Sequence, residues 1–142
     1  MIKKCKLIAE IGWNFIGDMN LAKEMIIAAK ESGADYAKFQ TWSTEDLKPG
    51  SWDSDGRIEL YKKAELSPDK HHELKEYCDK SNIEFLTSVF NKKYFKFLKE
   101  LNLQSIKIAS MEINNKPLVD EARKIYDQVF ISTGATKLNE LK

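Results

Sequence analysis

Short apolar runs alternate with amphipathic helical stretches along the chain, and this alternation predicts five strands that are each followed by a helix. The predicted strands are residues 7–12, 36–42, 83–90, 105–111 and 129–133. They begin at intervals of roughly 20 to 30 residues, apart from one longer interval. Because this spacing is typical of parallel strands joined by crossover helices, the pattern favours an α/β fold with a parallel sheet.

The helices are predicted from polar caps and apolar stripes. The caps are Asp18 or Asn20, Ser67 before Pro68, Asn91, and Asn114 or Asn115 before Pro117. The inner stripes are Leu21, Met25, Ala28 and Ala29; Leu74, Tyr77 and Cys78; Tyr94, Phe95, Leu98 and Leu101; and Leu118, Val119, Ala122 and Ile125. Residues 43–65 interrupt the rhythm, with a short helix predicted near 58–64, and residues 137–142 begin another helix.

Two architectures fit this order, an open doubly wound sheet and part of a (β/α)8 barrel. The first strand is not followed by the G-x-G-x-x-G turn of dinucleotide-binding folds, which disfavours that class. A complete barrel takes about 250 residues. The preferred interpretation is therefore an incomplete TIM-type (β/α) barrel with about five of its eight units. Residues 1–142 would form the amino-terminal portion of that barrel.

Composition narrows the function classes. The 142 residues carry a net charge of +1, which predicts no general attraction for nucleic acid or an anionic membrane. Neither Cys5 nor Cys78 belongs to a closely spaced pair, so a reduced, cytoplasmic compartment is expected. No secretory leader is evident, and no apolar run approaches the ~18 residues of a membrane span.

Polar and charged residues lie at or just after the carboxyl ends of the predicted strands, where barrel enzymes keep their chemistry. In chain order they are Glu10, Asn14, Lys38, Gln40, Thr87, Lys107, Ser110, Glu112, Ser132 and Thr133. Ammonium groups and hydroxyls together suit a phosphate or a carboxylate. Each residue alone also fits an ordinary structural role without a ligand. A lysine could be a solvated residue at the rim, and a hydroxyl could belong to a strand end or a helix cap. The joint pattern on several strands favours an anion site.

Several ordered blocks carry a resemblance that runs through essentially all of the chain. They are Ile8-Ala-Glu-Ile-Gly-Trp-Asn14 with Gly17-Asp18, Gly33-Ala-Asp-Tyr-Ala-Lys-Phe-Gln-Thr41, Ile83-Glu-Phe-Leu-Thr-Ser88, Lys107-Ile-Ala-Ser-Met-Glu112 and Ile131-Ser-Thr-Gly134. In these blocks the chain resembles the sialic acid synthase family, which includes the legionaminic and pseudaminic acid synthases.

The resemblance implies a (β/α)8 barrel that condenses phosphoenolpyruvate with an acetamido sugar of the N-acetylmannosamine type. The products would be a nine-carbon 2-keto sugar acid and phosphate. It also implies a divalent metal, usually manganese, and a homodimer when the protein is complete. The metal-binding histidines of the family lie on later strands, so no metal ligand is expected among residues 1–142, and His71 and His72 are expected to be ordinary helix residues.

The resemblance also assigns roles to matching residues. Glu112 would bind the sugar and take part in proton transfer, and Glu10 and Gln40 would lie at the floor of the site near both substrates. The phosphate and carboxylate of phosphoenolpyruvate would be held by Lys38, Thr87, Lys107, Ser110 and Ser132, and Asn14 is a further substrate-binding candidate. Two departures from the family are Phe15, where members usually have histidine, and Met111, where many have glycine.

Two other functions remain open from the residues alone. One is a barrel aldolase that forms an imine through Lys38 or Lys107, which requires an uncharged lysine. The other is a catalytically inactive fragment whose sheet, open at its first and fifth strands, would be poorly stable or completed by another copy.

Overall fold

The parallel α/β architecture is confirmed. A computed structural model describes residues 5–51, 54–134 and 136–140 of the chain. Five parallel strands form one sheet in which each strand lies beside its predecessor in the chain, in the order β1-β2-β3-β4-β5. The strands are β1 Ile8–Gly12, β2 Tyr36–Thr41, β3 Glu84–Val89, β4 Ser105–Ile108 and β5 Gln128–Ile131. All five predicted strands therefore exist.

Two predicted strand ends are wrong by two residues or more: β5 ends at Ile131 and not at residue 133, and β4 differs further. The apolar pattern extended β4 to residue 111, but the strand ends at Ile108 and residues Ser110–Glu112 form a 3-10 turn. The amide of Glu112 donates to the carbonyl of Ala109 at 3.0 Å, and this local hydrogen bond replaces the sheet hydrogen bonds. The turn carries two candidate site residues out of the sheet and into the connection that precedes the next helix.

The helices match the predicted order. They are α1 Met19–Glu31, α2 Arg57–Ala64, α3 Pro68–Lys80, α4 Phe95–Leu98 and α5 Lys116–Ile125. Short 3-10 segments flank α4 at Lys92–Tyr94 and Lys99–Leu101, and another lies at Leu138–Glu140. The helix predicted to begin at residue 137 is represented only by that last 3-10 turn, and residues 141 and 142 lie outside the described part of the chain.

The chain divides into two compact units, residues 1–85 and residues 86–142.

In the first unit, Asp18 is the cap of α1, because its carboxylate accepts from the amides of Asn20 and Leu21 at 2.9 and 3.1 Å. The predicted inner stripe of α1 is right at Ala29 and otherwise offset by one residue. Ala22, Ile26 and Ala29 are buried, whereas Leu21 is 37% exposed. Apolar residues occur in adjacent pairs along α1, so the periodicity fits either face.

Aromatic rings form the centre of the first unit. Phe39 of β2 stacks on Phe85 of β3 with ring centroids 5.4 Å apart, and Phe15 meets Phe39 edge-on at 5.9 Å. On α3 the buried residues are His71, Leu74 and Cys78, so the predicted stripe gains a histidine, while Tyr77 is only partly buried. Phe15, Phe85 and His71 thus cover the face of β2 that carries Phe39 and Thr41.

The second unit has its own apolar core between β4 and its helices. Its buried members are Val89, Phe95, Leu98, Leu101, Ile106, Ile108, Leu118, Ala122 and Tyr126. Asn115 caps α5 by accepting from the amide of Leu118, and Leu118 and Ala122 are buried as predicted. Within the described ranges, no helix is long and apolar enough to cross a membrane.

Candidate functional site

In the first unit the structure brings Glu10 and Lys38 together. The two residues are register partners on β1 and β2, and side chains at paired positions of parallel strands point to the same face. The Glu10 carboxylate lies 2.7 Å from the Lys38 ammonium. Lys38 Nζ also lies 3.4 Å from the carbonyl of Phe39. A nearly buried ammonium is thus held in one orientation by a carboxylate that reaches solvent.

Gly12 opens a space beside this pair. A Cβ at Gly12 would lie 3.4 Å from Glu10 Oε1, 3.8 Å from Gln40 Nε2 and 3.9 Å from Asn14 Nδ2. Asn14 is fixed because its Nδ2 donates to the carbonyl of Ile11 at 2.9 Å. Three predicted site residues therefore surround the position that a Cβ of residue 12 would occupy. The sequence analysis missed Gly12, although a glycine between Glu10 and Asn14 at a strand end was a usable signal.

In the second unit the structure brings Lys107 and Ser132 together. Lys107 Nζ donates a short hydrogen bond to Ser132 Oγ and a second one, at 3.2 Å, to the carbonyl of Ile108. The amide of Ser132 donates to that same carbonyl at 3.1 Å, which fixes the backbone at this point. Lys107 is only partly buried, so its ammonium is both oriented and accessible. An oriented ammonium beside a hydroxyl is suited to bind an anionic oxygen.

The register assigns Ser88 to the face of Lys107. Ser88 is the partner of Lys107 across β3 and β4, and Val89 is the partner of Ile108. Thr87 therefore points to the opposite face, which it shares with Val89 of the apolar core, and it is completely buried. The sequence analysis named Thr87 and did not consider Ser88. The period-two alternation with the apolar Phe85 and Val89 was the signal that favours Ser88.

Glu112 and Ser110 lie in the 3-10 turn after β4. The carboxylate of Glu112 accepts from Asn115 Nδ2 at 2.8 Å, and the amide of Asn115 donates to the carbonyl of Glu112 at 2.9 Å. Asn115 therefore both caps α5 and orients a candidate catalytic carboxylate. The sequence analysis assigned Asn115 only a capping role. Thr133, an exposed residue, follows Ser132 after β5.

No metal centre is formed by the described residues. In residues 5–51, 54–134 and 136–140, no three His, Cys, Asp or Glu side chains are placed to hold an ion. His71 is buried, its Nδ1 lies 2.9 Å from the carbonyl of Ser67 and its Nε2 lies 2.8 Å from the hydroxyl of Thr41. Nδ1 must carry the proton because a carbonyl only accepts. Burial lowers the pKa of His71 to about 4, so the ring is neutral.

The two departures from the family pattern have different surroundings. Phe15 is 1% exposed and packs against Phe39 in the core of the first unit. Met111 is 74% exposed, in the same turn as Glu112. The consequence of either residue for selectivity stays a prediction, as do the roles of the site residues described above.

Comparisons with known proteins agree with this arrangement. The model of the NeuB family matches residues 25–142. The chain is 37% identical to the N,N'-diacetyllegionaminic acid synthase of Legionella pneumophila, over 97% of the chain and 42% of that protein. It is 35% identical to the human (Homo sapiens) N-acetylneuraminate-9-phosphate synthase, over 97% of the chain and 41% of that protein. The chain thus spans less than half the length of these relatives.

A solved structure supports the same conclusion. The N-acetylneuraminic acid synthetase of Leptospira borgpetersenii, determined in complex with citrate, matches with a TM-score of 0.84 and 33% sequence identity. The match covers 95% of the chain and 46% of that structure. The family model covers well over half of the chain and the fold agrees with a sialic acid synthetase, so the chain belongs to the NeuB family.

Proposed function

We propose that this chain is part of a nonulosonic acid synthase, which condenses phosphoenolpyruvate with an acetamido sugar of the N-acetylmannosamine type. The observation that carries the proposal is the Lys107–Ser132 pair, an oriented and accessible ammonium beside a hydroxyl in a NeuB family chain. Phosphoenolpyruvate carries a phosphate and a carboxylate, the groups that such a pair binds. Relatives named as synthases of legionaminic acid and N-acetylneuraminate 9-phosphate support the reaction class.

The second unit would bind phosphoenolpyruvate, the anionic substrate. Lys107 supplies a positive charge that two acceptors hold in place, and Ser132 supplies a hydroxyl. Ser110 lies in the turn after β4, and Ser88 lies on the face of Lys107 and adds a further hydroxyl. Thr87 stays a predicted binding residue for phosphoenolpyruvate, although it faces the apolar core. The related Leptospira synthetase was determined in complex with citrate, a molecule that carries carboxylates, and this is compatible with the proposed anionic substrate.

The first unit would contact substrate through Lys38, Glu10, Gln40 and Asn14, as the family resemblance implies. The ammonium of Lys38, which Glu10 orients, is the candidate partner of an anionic group. Glu10, Gln40 and Asn14 surround the open space at Gly12, where a polar group of either substrate could be hydrogen-bonded. Of these residues Lys38 is buried, so its interaction with an anionic group would be stronger than in water because the local dielectric is low.

The proposed reaction forms one carbon–carbon bond and breaks one carbon–oxygen bond. Carbon 3 of phosphoenolpyruvate attacks the aldehyde carbon of the open-chain sugar, and the aldehyde oxygen takes up a proton. Water then adds to carbon 2 and loses a proton, and the adduct releases phosphate by cleavage of the bond between carbon 2 and the phosphate oxygen. Glu112, oriented by Asn115, would bind the sugar and transfer a proton.

A divalent metal, manganese in the family resemblance, belongs to the proposal for the complete protein. The described residues do not fit such an ion, because they contain no cluster of three ligating side chains. We therefore assign no step to the metal. Homodimer formation is likewise proposed only for the complete protein.

The direct test is phosphate release by the complete protein with phosphoenolpyruvate, manganese and a panel of acetamido hexoses. The panel contains N-acetylmannosamine and the diacetamido-trideoxy sugars that lead to legionaminic and pseudaminic acid. Lys107→Ala should raise the KM for phosphoenolpyruvate or abolish turnover, whereas Lys96→Ala, which removes an exposed lysine of α4, should do neither. Absence of phosphate release with every sugar contradicts the proposed reaction, and unchanged kinetics in Lys107→Ala removes Lys107 from the site.

A second candidate is an aldolase that forms an imine through a lysine. The contact between Lys38 and Glu10 argues against it at Lys38, because the Nζ of Lys38 is already engaged by a carboxylate 2.7 Å away. Borohydride trapping with pyruvate separates the two mechanisms. The synthase reaction forms no lysine adduct, so a reduced pyruvyl adduct on Lys38 or Lys107 would establish the aldolase.

A further inference from the structure

Three aromatic rings meet just beyond the ends of β1 and β2, in the first unit. Trp13 follows Gly12, Trp42 follows Thr41, and Tyr61 belongs to α2. Their ring centroids are separated by 6.4 Å (Trp13–Trp42), 5.6 Å (Trp13–Tyr61) and 6.0 Å (Trp42–Tyr61), all in edge-to-face geometry. Each ring contacts both others, so the aromatic triad links two strand ends to one helix. Such edge-to-face pairs are a favoured aromatic geometry.

A second contact joins α2 to the connection after β1. Gly17 has φ +80°, and a Cβ there would lie 2.1 Å from the carbonyl oxygen of Lys63. No side chain fits at this position, so the backbone after β1 passes directly against the last turn of α2. Trp13 and Gly17 thus hold the two ends of a short segment that contains Asn14.

The helix α2 adds little to the apolar core. Ala64 is its one buried residue, and both charged and apolar side chains of the helix are exposed or only partly buried. Its position is fixed instead by the aromatic triad, by Gly17, and by Glu65, whose carboxylate accepts from the amide and the hydroxyl of Thr44 at 2.8 and 2.9 Å. A helix with few core contacts but specific contacts to site-bearing segments is better explained by positioning than by stability.

We infer that Tyr61 is a positioning residue, which acts through Trp13 and Trp42 to hold Asn14 and Gln40 in place around the space at Gly12. Asn14 is the neighbour of Trp13 in the chain, and Gln40 lies two residues before Trp42. Loss of the Tyr61 ring would free both tryptophans to move, and displacement of a binding group by about 1 Å is enough to change rates by orders of magnitude. The kinetic part of this inference rests on the proposed function.

The test compares Tyr61→Leu, Tyr61→Phe and Tyr77→Leu in the complete protein. Tyr61→Leu removes the ring and should raise the KM for a substrate about tenfold or more. Tyr61→Phe keeps the ring and should restore the wild-type KM. Tyr77 is a partly buried tyrosine on α3 outside the triad. Tyr77→Leu should therefore leave the KM for phosphoenolpyruvate and the KM for the sugar unchanged. Wild-type KM values in Tyr61→Leu, or failure of Tyr61→Phe to restore them, would overturn the inference.

A crystallographic comparison does not depend on turnover. The side chain of Asn14 should shift in Tyr61→Leu and stay in place in Tyr61→Phe and Tyr77→Leu. An unmoved Asn14 in Tyr61→Leu would overturn the inference even if the wild-type protein had no synthase activity. Failure of Tyr61→Leu to fold would also overturn it, since Tyr61 would then be a structural residue. An inactive wild-type protein with a displaced Asn14 in Tyr61→Leu would contradict the proposed function but not the positioning role.

Discussion

The carboxylate of Glu10 lies 2.7 Å from the ammonium of Lys38, although the side chain of Lys38 is 4% exposed and that of Glu10 is 56% exposed. The pair therefore has one buried and one solvated member. Removal of the solvated member leaves a nearly buried charge without its carboxylate, which is more costly than the loss of an exposed salt bridge.

Glu10→Gln should therefore lower the free energy of unfolding by about 1–2 kcal/mol, a value reduced from that of a fully buried pair because Glu10 is solvated. The double variant Glu10→Gln/Lys38→Met should recover part of this loss, since no buried ammonium remains. Urea denaturation of the wild type, the single variants Glu10→Gln and Lys38→Met, and the double variant measures the coupling energy in a double-mutant cycle. A coupling energy near zero would show that Glu10 does not stabilise Lys38.

The buried imidazole of His71 should make the stability of the fold depend on pH. Burial lowers its pKa from 6.5 to about 4, so below pH 6.5 the unfolded chain binds a proton that the folded chain does not. Its contribution should thus be fully present above pH 6.5 and be lost as the pH falls from 6.5 towards about 4, by up to ~3 kcal/mol. The free energy of unfolding measured across this range checks the slope.

The neighbouring histidine provides the control for this pH dependence. His72 lies on the exposed side of the same helix. His72→Gln should keep the wild-type slope between pH 6.5 and pH 4, whereas His71→Gln should flatten it, at a cost in stability at neutral pH. An equal slope in both variants would assign the acid sensitivity to other groups.

Sequence patterns predicted the order of the elements because strands and helices impose different periodicities on apolar residues. They failed where local hydrogen bonds or ambiguous patterns decide the outcome. The 3-10 turn at Ser110 depends on backbone hydrogen bonds that no periodicity records, and the adjacent apolar pairs of α1 fit two faces equally well. These failures displaced residues by only one or a few positions.

The residues of the candidate site could be picked out to a similar degree, and their roles stay predictions. Lysines and carboxylates at strand ends were found because charge at the end of an apolar run is conspicuous. The contact between Lys107 and Ser132 required the alignment of two strands, and the choice of Ser88 over Thr87 required the register of β3 against β4. Gly12 was missed because its importance lies in the absence of a side chain.

Two buried tyrosines differ in one hydrogen bond and should respond differently to the same substitution. The hydroxyl of Tyr126 is buried and has no hydrogen-bond partner among the described residues, and burial raises its pKa to about 12. The hydroxyl of Tyr36 accepts from Lys6 Nζ at 2.9 Å. Tyr126→Phe should be neutral or stabilise the protein by up to about 1 kcal/mol, whereas Tyr36→Phe should cost about 1 kcal/mol. Thermal denaturation of both variants tests this, and a marked loss in Tyr126→Phe would reveal a partner for that hydroxyl.

Gly12 and Gly33 separate backbone strain from an effect on the site. Both have positive φ, +61° and +83°, so alanine should cost about 1–2 kcal/mol of stability at either position. A Cβ at Gly33 meets no atom within 4 Å, whereas a Cβ at Gly12 would lie 3.4 Å from Glu10 Oε1. Gly12→Ala should therefore also lower kcat/KM by about tenfold or more in the complete protein, and Gly33→Ala should not. Steady-state kinetics at a temperature where both variants remain folded makes the comparison, and equal kinetics in the two variants would mean that the space at Gly12 is not used by a substrate.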